Sequence, residues 1–195
     1  MKILIINLGS QYTHLIWRTL RDLGIEAVIQ EPNLFLKDAL FFDSIILSGG
    51  PSSVNEMKKN TAIKILELEK DGKLDKPILG ICLGHQLIAH ILGGQVRKAQ
   101  NAEYGLIKID IIKEHKIFEG LPKEIEVWAS HQEEVFKPPA DFEVLAKSQN
   151  CEIEALAHLK KPIIGLQFHP EVLHTKHGIE MLNNFVNLAK EYTRT

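Results

Sequence analysis

The chain has 195 residues, a formal net charge of −2 and 45% hydrophobic residues. A chain of this length buries roughly 70% of the surface that it exposes when unfolded, which is enough for a sizeable core. Its interspersed charges lack the basic patch typical of nucleic-acid binding or of attachment to a membrane surface, and no apolar run is long enough to span a bilayer.

Strand and helix patterns alternate along the first half of the chain. Short apolar runs predict strands, and apolar residues that recur every three or four positions predict helices. In chain order, the first half is predicted to form a strand at Ile3–Ile6, a helix at Tyr12–Leu23, strands at Ala27–Ile29 and Ser44–Leu47, a helix at Asn60–Lys70, a strand at Pro77–Ile81 and a helix at His85–Leu92.

The second half is predicted to have shorter strands with intervening turns, before a final strand and helix. These elements are Leu106–Ile112, Ile125–Ala129, Val144–Lys147, the last strand Ile163–Phe168 and the closing helix Ile179–Tyr192. The alternation indicates an α/β fold with an open, mostly parallel sheet, helices on both faces and added antiparallel strands. Since no linker or repeat interrupts it, we expect residues 1–195 to form a single domain.

The two cysteines, Cys82 and Cys151, lie far apart in the sequence and form no disulfide framework. The chain opens directly on a strand pattern, so we expect no signal peptide. A reduced, cytoplasmic location would suit both observations, because disulfides are rare there and a reactive thiol stays free.

The most informative motif is the segment GICLGHQ at positions 80–86. It places Cys82 between a predicted strand and a predicted helix, with glycine two residues before and two residues after. This is the layout of a nucleophile elbow, in which a tight turn exposes the nucleophile above the sheet. The free N–H groups and positive field of a helix N-terminus favour the thiolate, which is the reactive form of cysteine.

A second motif, QFHPE at positions 167–171, follows the last predicted strand. Residues two apart in an extended segment face the same side, so His169 and Glu171 can point toward one site. Pro170 favours an extended conformation at His169. A base oriented by a carboxylate is the second half of a nucleophilic triad.

Together these motifs resemble those of the class I, or triad-type, glutamine amidotransferases, and further blocks are similar to the GMP synthetase branch of that family. The blocks cover nearly the whole chain: GSQYTHLI at 9–16, LSGGPSSV at 47–54, EYG at 103–105, WASH at 128–131 and HPEVLHT at 169–175. The sequence departs from common family patterns at 7–9, where Asn-Leu-Gly replaces Asp-Phe-Gly, and at 132–134, where Gln-Glu-Glu follows Ser-His.

The resemblance implies an enzyme that hydrolyses glutamine to glutamate and ammonia, and it implies residue roles. Cys82 would be the nucleophile, His169 the base and Glu171 its orienting carboxylate. The N–H groups of Gly50 and Leu83 would form the oxyanion hole. Three more residues, Gln86, Ser130 and His131, would help to bind the glutamine substrate, although Gln86 could instead support the first turn of its helix.

The resemblance also implies a partner, the ATP pyrophosphatase subunit of a two-subunit GMP synthetase, which would use the ammonia to convert XMP to GMP. The glycine-rich loop Ser48–Ser53 lacks the aspartate of the Ser-Gly-Gly-x-Asp-Ser loop of ATP-using synthetases, and no Walker A loop is present. We therefore expect no cofactor on this chain, and ATP and Mg²⁺ on the partner.

Three alternatives remain open from the residues. The string formed by His169, Glu171, His174 and His177 is a candidate metal-ligand set for a hydrolase, although it does not match His-Glu-x-x-His and we expect no metal. The same glutaminase chemistry could serve another acceptor, such as chorismate in the synthesis of anthranilate or aminodeoxychorismate. The chain could also be a regulatory module without activity, against which the intact Cys82, His169 and Glu171 argue.

Overall fold

The computed structural model describes residues 1–194 and contains nine strands and five α-helices within that range. The strands are β1 Lys2–Ile6, β2 Glu26–Gln30, β3 Ser44–Leu47, β4 Ile78–Ile81, β5 Gln95–Ile111, β6 Glu124–Lys137, β7 Phe142–Ser148, β8 Ala155–His158 and β9 Ile163–Leu166. The helices are α1 Thr13–Asp22, α2 Leu36–Ala39, α3 Thr61–Lys70, α4 Leu83–Ile91 and α5 Gly178–Tyr192, with a 3₁₀ turn at Lys116–Phe118.

All nine strands form one sheet in the order β2-β1-β3-β4-β9-β8-β7-β5-β6. The strands from β2 to β9 in this order pair in parallel, and β8, β7, β5 and β6 extend the sheet in antiparallel fashion. The predicted α/β architecture of parallel strands with antiparallel additions is therefore confirmed, although the parallel pairings do not predominate, since four of the described pairings are parallel and four are antiparallel.

The core lies on both faces of the sheet, because strands β3, β4 and β9 bury every side chain and β1 buries all but Lys2. Along β1, Ile3 and Ile5 join the apolar cluster that contains residues of α1 and α5, whereas Leu4 and Ile6 join the cluster that contains residues of α3 and α4. Such two-sided burial is typical of parallel strands covered by helices on both faces. Helix α3 begins as its sequence indicates, with the Asn60 side chain accepting the Ile63 N–H at 3.1 Å.

Several predicted boundaries were wrong, mostly in the antiparallel part. Strand β5 begins at Gln95, eleven residues before the predicted start at Leu106, because its first half is polar and exposed and gives no apolar alternation. Strand β6 likewise runs to Lys137 instead of Ala129, and the short strand β8 and helix α2 were missed. Helix α4 starts at Leu83, two residues before the predicted His85.

The parallel strands end along one edge of the sheet, and the sequence motifs follow those ends. The segments after β1, β3, β4 and β9 carry the loop at residues 9–12, the glycine loop at 48–53, Cys82 and His169, respectively. In open α/β sheets ligands bind at this edge. Among residues 1–194, no helix combines the length and apolar character needed to cross a bilayer.

Candidate active site

Cys82 occupies the sharp turn between β4 and α4. Its backbone has φ 51° and ψ −104°, and it is one of two non-glycine residues in the described chain with positive φ. The flanking glycines are needed for a separate, steric reason. A Cβ on Gly80 would lie 2.4 Å from the carbonyl oxygen of Gly84, and a Cβ on Gly84 would lie 2.4 Å from that of Leu47. The glycines thus allow the turn to pack closely, while the cysteine itself carries the strained conformation.

His169 and Glu171 lie together at the end of β9, as their spacing predicts. The His169 Nδ1 atom lies 2.8 Å from Glu171 Oε1, and both residues are buried. Burial alone would lower the pKa of His169, but the hydrogen bonds and charges of Cys82 and Glu171 outweigh it and raise the pKa to about 10. Both neighbours therefore favour the protonated ring, which lies between the Cys82 sulfur and the Glu171 carboxylate.

The backbone of His169 is held by a residue that the sequence did not single out by itself. Thr175 Oγ1 donates to the His169 carbonyl at 2.6 Å and accepts the Trp128 N–H at 2.9 Å. The His169 N–H in turn donates to the Trp128 carbonyl at 2.9 Å. Thr175 and Trp128 thus fix the histidine to β6, and the sequence signal for Thr175 was its place in the block at 169–175.

Gly49 marks the point at which the nucleophile and the histidine converge. A Cβ placed on Gly49 would lie 2.9 Å from His169 Cε1 and 3.4 Å from Cys82 Cβ. The ring of Tyr12 packs edge-on against His169 at a centroid distance of 5.2 Å. The structure therefore brings Cys82, His169 and Glu171 into one site and requires a residue without a side chain between the first two.

The two expected oxyanion donors, Gly50 and Leu83, are neighbours. A Cβ on Gly50 would lie 2.8 Å from Leu83 Cδ2 and 2.2 Å from the Leu8 carbonyl oxygen, so only glycine fits there. Neither the Gly50 nor the Leu83 N–H donates to another group within residues 1–194. Ser48 holds the loop in place, since its hydroxyl accepts the Leu8 N–H at 2.9 Å and donates to the Gly49 carbonyl at 2.8 Å.

A cavity of about 590 Å³ opens above Cys82. Its lining is largely polar and comes from the loop at 9–12, the glycine loop, Tyr104 and the segment at 130–133 of β6, together with Gln86 and His169. All three residues expected to bind substrate, Gln86, Ser130 and His131, are in this lining. The volume and polarity suit a small polar molecule with its reactive carbon at the thiol.

These three residues differ in how they contribute to the cavity. The Gln86 amide donates to the Glu133 carbonyl at 2.8 Å and to Gln167 Oε1 at 3.1 Å, so it ties α4 to β6 instead of capping its own helix. The Ser130 carbonyl oxygen lies 3.7 Å from Cys82 Sγ. The ring of His131 is buried and contacts Glu103, so the residue contributes its backbone to the cavity.

The candidate metal string does not assemble within the described part of the chain. His174 stacks on Trp128 at a ring distance of 5.0 Å, and His177 contacts Glu180 at the surface. The histidine at 169 is paired with Glu171. A different group, Glu103, Cys151 and Glu154, has side-chain ligand atoms within 4.8 Å of one another.

The remaining buried ionisable groups near the site are unsuited to nucleophilic chemistry. Burial raises the pKa of the Cys151 thiol far above its usual range, and Glu154 raises it further. Burial lowers the pKa of His85 to about 3, so this histidine stays neutral beneath the site.

Comparison with known proteins agrees with the resemblance seen in the sequence. The family model described as Glutamine amidotransferase class-I matches residues 4–189. The chain is 49% identical to a protein of Pyrococcus abyssi named as a subunit of glutamine-hydrolyzing GMP synthase, over 97% of this chain and 99% of that protein. It is 50% identical to the protein of the same name from Pyrococcus furiosus, again over 97% and 99% of the two chains.

Solved structures show the same similarity. A crystal structure from Thermoplasma acidophilum, of a protein described as a GMP synthase subunit, matches with a TM-score of 0.89 at 35% identity and covers 100% of this chain and 96% of that one. A glutamine amidotransferase from Thermotoga maritima matches in fold, with a TM-score of 0.74 at 22% identity, over 98% and 83% of the two chains.

The first prediction concerns the reactivity of the two thiols. At neutral pH iodoacetamide should alkylate Cys82 and leave Cys151 unmodified, because Cys82 lines the cavity beside a cationic histidine while Cys151 is buried with a raised pKa. Peptide mass spectrometry of the folded chain measures both sites. The variant His169→Ala should slow the alkylation of Cys82, and Cys82→Ala should lose it. Alkylation of Cys151 at a similar rate, or no effect of His169→Ala, would contradict the assignment.

Proposed function

The chain belongs to the class I glutamine amidotransferase family, and from this premise we propose that it is the glutamine-hydrolysing subunit of a two-subunit GMP synthetase, with residues 1–195 forming one amidotransferase domain. The observation that carries the proposal is the arrangement of Cys82 and His169 in the lining of a polar cavity, with Glu171 in contact with His169 Nδ1. The names of the relatives support GMP synthetase over an enzyme that aminates chorismate.

The reaction would use the Cys82 thiolate as the nucleophile and the His169 imidazolium as the proton donor. The thiolate attacks the side-chain amide carbon of glutamine, and the N–H groups of Gly50 and Leu83 hold the resulting oxyanion. When the C–N bond breaks, His169 gives its proton to the departing amine, which leaves as ammonia. A thioester of Cys82 and a neutral imidazole remain.

The second half of the reaction uses the neutral imidazole as a base. His169 removes a proton from water, which attacks the thioester carbon and releases glutamate, and the thiolate and imidazolium form again. Glu171 keeps the ring in one orientation through its 2.8 Å contact with Nδ1 and stabilises the positive charge. Gln86, Ser130 and the backbone of His131 would hold the amino-acid end of glutamine in the cavity.

A second active site is needed to use the ammonia. At neutral pH free ammonia is mostly ammonium, which is not a nucleophile, and a glutaminase alone would waste glutamine. The glycine loop at 48–53 packs against Cys82 and Leu83, and it lacks the aspartate of the ATP-binding Ser-Gly-Gly-x-Asp-Ser loop. We therefore assign ATP, Mg²⁺ and XMP to a partner, the ATP pyrophosphatase subunit. Both cysteines are free thiols, which suits a cytoplasmic location.

An exposed apolar patch beside the cavity supports this partner. This patch consists of Tyr104, Leu106, Trp128, Leu173 and His174, and we call it the docking patch. Tyr104, which is 58% exposed, also lines the cavity, and Leu106 pairs with Trp128 across β5 and β6. Leu173 is 93% exposed next to the His174 ring that stacks on Trp128. A partner seated here would cover the mouth through which ammonia leaves.

The second prediction ranks the two residues that support Cys82. His169→Ala should reduce glutamine hydrolysis more than Glu171→Ala, by about one or two powers of ten, because His169 transfers protons whereas Glu171 orients it. Steady-state glutaminase assays of both variants within the complex make the comparison. Equal or reversed losses would mean that His169 is not the proton carrier.

The third prediction concerns coupling to the partner. The free chain should hydrolyse glutamine slowly, and the pyrophosphatase subunit with ATP and XMP should raise the rate by about 10²–10³, the effect of correctly placing one oxyanion donor. Glutamate release is measured for the free chain, for the complex and for the complex with both nucleotides. A free chain that already works at the full rate would refute the coupling but leave the glutaminase assignment intact.

The fourth prediction tests the docking patch with a matched control. Leu173→Asp should weaken binding of the pyrophosphatase subunit by about tenfold or more, as expected for a charge in an apolar contact. Leu159→Asp is the control, because Leu159 is 57% exposed and precedes β9, at the opposite edge of the sheet from the site. Binding is measured by titration calorimetry. Equal affinities of the two variants would show that the partner binds elsewhere.

A further inference from the structure

A buried group of ionisable side chains lies behind the cavity wall, and the mechanism above does not use it. Glu103 of β5 and His131 of β6 are 3% and 4% exposed, and Glu154, just before β8, is fully buried. Burying such groups is costly unless charges are paired and hydrogen bonds are made. Their arrangement therefore indicates a purpose beyond filling space.

The ring of His131 has an acceptor at each nitrogen. Its Nε2 atom lies 3.1 Å from Glu103 Oε2, and its Nδ1 atom lies 3.1 Å from the Glu133 carbonyl oxygen. A neutral imidazole has one N–H and can donate to only one of these groups. The doubly protonated ring donates to both, so the contacts of this histidine fit the imidazolium form.

The pKa values of the two carboxyl groups beside it are shifted in opposite directions. Burial would raise the pKa of Glu103, but hydrogen bonds from His131, Glu154 and Ser148 lower it to about 2. Burial and the neighbouring Glu103 raise the pKa of Glu154 well above its usual range. Neither Glu154 side-chain oxygen has a hydrogen bond of normal geometry among the described residues, and His131 Nε2 lies 4.0 Å from its Oε1 atom. A protonated Glu154 would donate a hydrogen bond to Glu103. The environment thus favours the ionised form of Glu103 and the neutral form of Glu154.

This buried group lies beside an irregular part of the strand pairing, where the ladder holds Ser130, His131 and Glu133 but not Gln132. The ladder between β5 and β6 shifts register between Lys98 and Glu103, opposite Glu133 and His131. The segment at 130–133 forms the cavity wall there. The Glu133 carbonyl accepts from both His131 Nδ1 and the Gln86 amide, and the Ser130 carbonyl contacts Cys82 Sγ. Side chains therefore add to the ladder the contacts that tie the wall to Cys82 and Gln86.

We propose that Glu103 is a positioning residue, whose negative charge keeps His131 doubly protonated and thereby holds the wall segment 130–133 in place to bind glutamine beside Cys82. Glu154 is its neutral partner, whose protonated carboxyl group donates a hydrogen bond to Glu103. The kinetic consequence rests on the proposed glutaminase function. The protonation of His131 does not, and it can be tested in a chain of any activity.

The experiment compares two isosteric variants, Glu103→Gln and Glu154→Gln. Glu103→Gln removes the charge, so His131 should lose a proton and one of its two contacts. Glu154→Gln replaces a neutral acid by a neutral amide that still donates to Glu103, so His131 should remain unchanged. Nitrogen NMR of the 15N-histidine-labelled chain at neutral pH measures the protonation of each ring, and the His131 signals are assigned by their loss in His131→Gln.

The kinetic arm uses the complex with its partner. Glu103→Gln should raise the KM for glutamine by about tenfold to a hundredfold with a smaller change in kcat, the expected effect of losing one hydrogen bond with a charged partner. Glu154→Gln should stay within about twofold of the wild type, since the hydrogen bond is retained. If Glu103→Gln does not fold, as judged by thermal melting, Glu103→Asp keeps the charge and should keep His131 doubly protonated.

Three results would overturn the proposal. His131 that stays doubly protonated in Glu103→Gln would show that Glu103 does not hold its proton. An equal or larger effect of Glu154→Gln would show that Glu154 is the charged acid. A stoichiometric metal ion in the purified chain, lost in Glu154→Gln, would show that Glu103, Cys151 and Glu154 bind a cation, which requires Glu154 to be ionised. A chain with the expected NMR result but no glutaminase activity would refute the proposed function and leave the charge assignment standing.

Discussion

The strained turn at Cys82 is the constraint on which the rest of the site depends. A cysteine with φ 51° is stable only if its surroundings hold it there, since an L-residue with a side chain disfavours that region. Strand β4 meets α4 so closely at Gly80, and α4 meets β3 so closely at Gly84, that neither glycine has room for a methyl group. Strain at one residue is thus maintained by close packing of its neighbours, and the thiol is left at the helix N-terminus.

Three buried histidines near the site differ in the charged and polar groups that contact them. His85 has no charged partner in contact, and burial keeps it neutral. His169 lies between a thiol and a carboxylate, whose charges outweigh the same desolvation and keep it cationic. His131 faces a carboxylate and a backbone carbonyl, which favour the cation by geometry. Burial alone therefore does not determine the pKa of a histidine, because the groups in contact with the ring also shift it.

The sequence predicted what depends on local chemistry. The central strands are continuous apolar runs, the elbow glycines flank Cys82 at fixed spacing, and His169 and Glu171 share a face because they are two apart. It did not predict Thr175 as the support of His169 or Glu154 as the partner of Glu103, since those contacts join residues that are distant in sequence or in different strands. The polar first half of β5 was missed because its partner strand, and not its own pattern, makes it a strand.

The same two strands connect the proposed docking patch to the catalytic wall. In the ladder of β5 and β6, Leu106 pairs with Trp128, and two residues along, Tyr104 pairs with Ser130, whose carbonyl contacts Cys82 Sγ. Trp128 also accepts the His169 N–H through its carbonyl. A displacement of the patch would therefore reach His169 through one hydrogen bond and Ser130 through two residues of β6. A partner on this surface would act on both the base and the wall of the cavity, which gives the coupling between the subunits a short structural route that needs no movement of the central sheet.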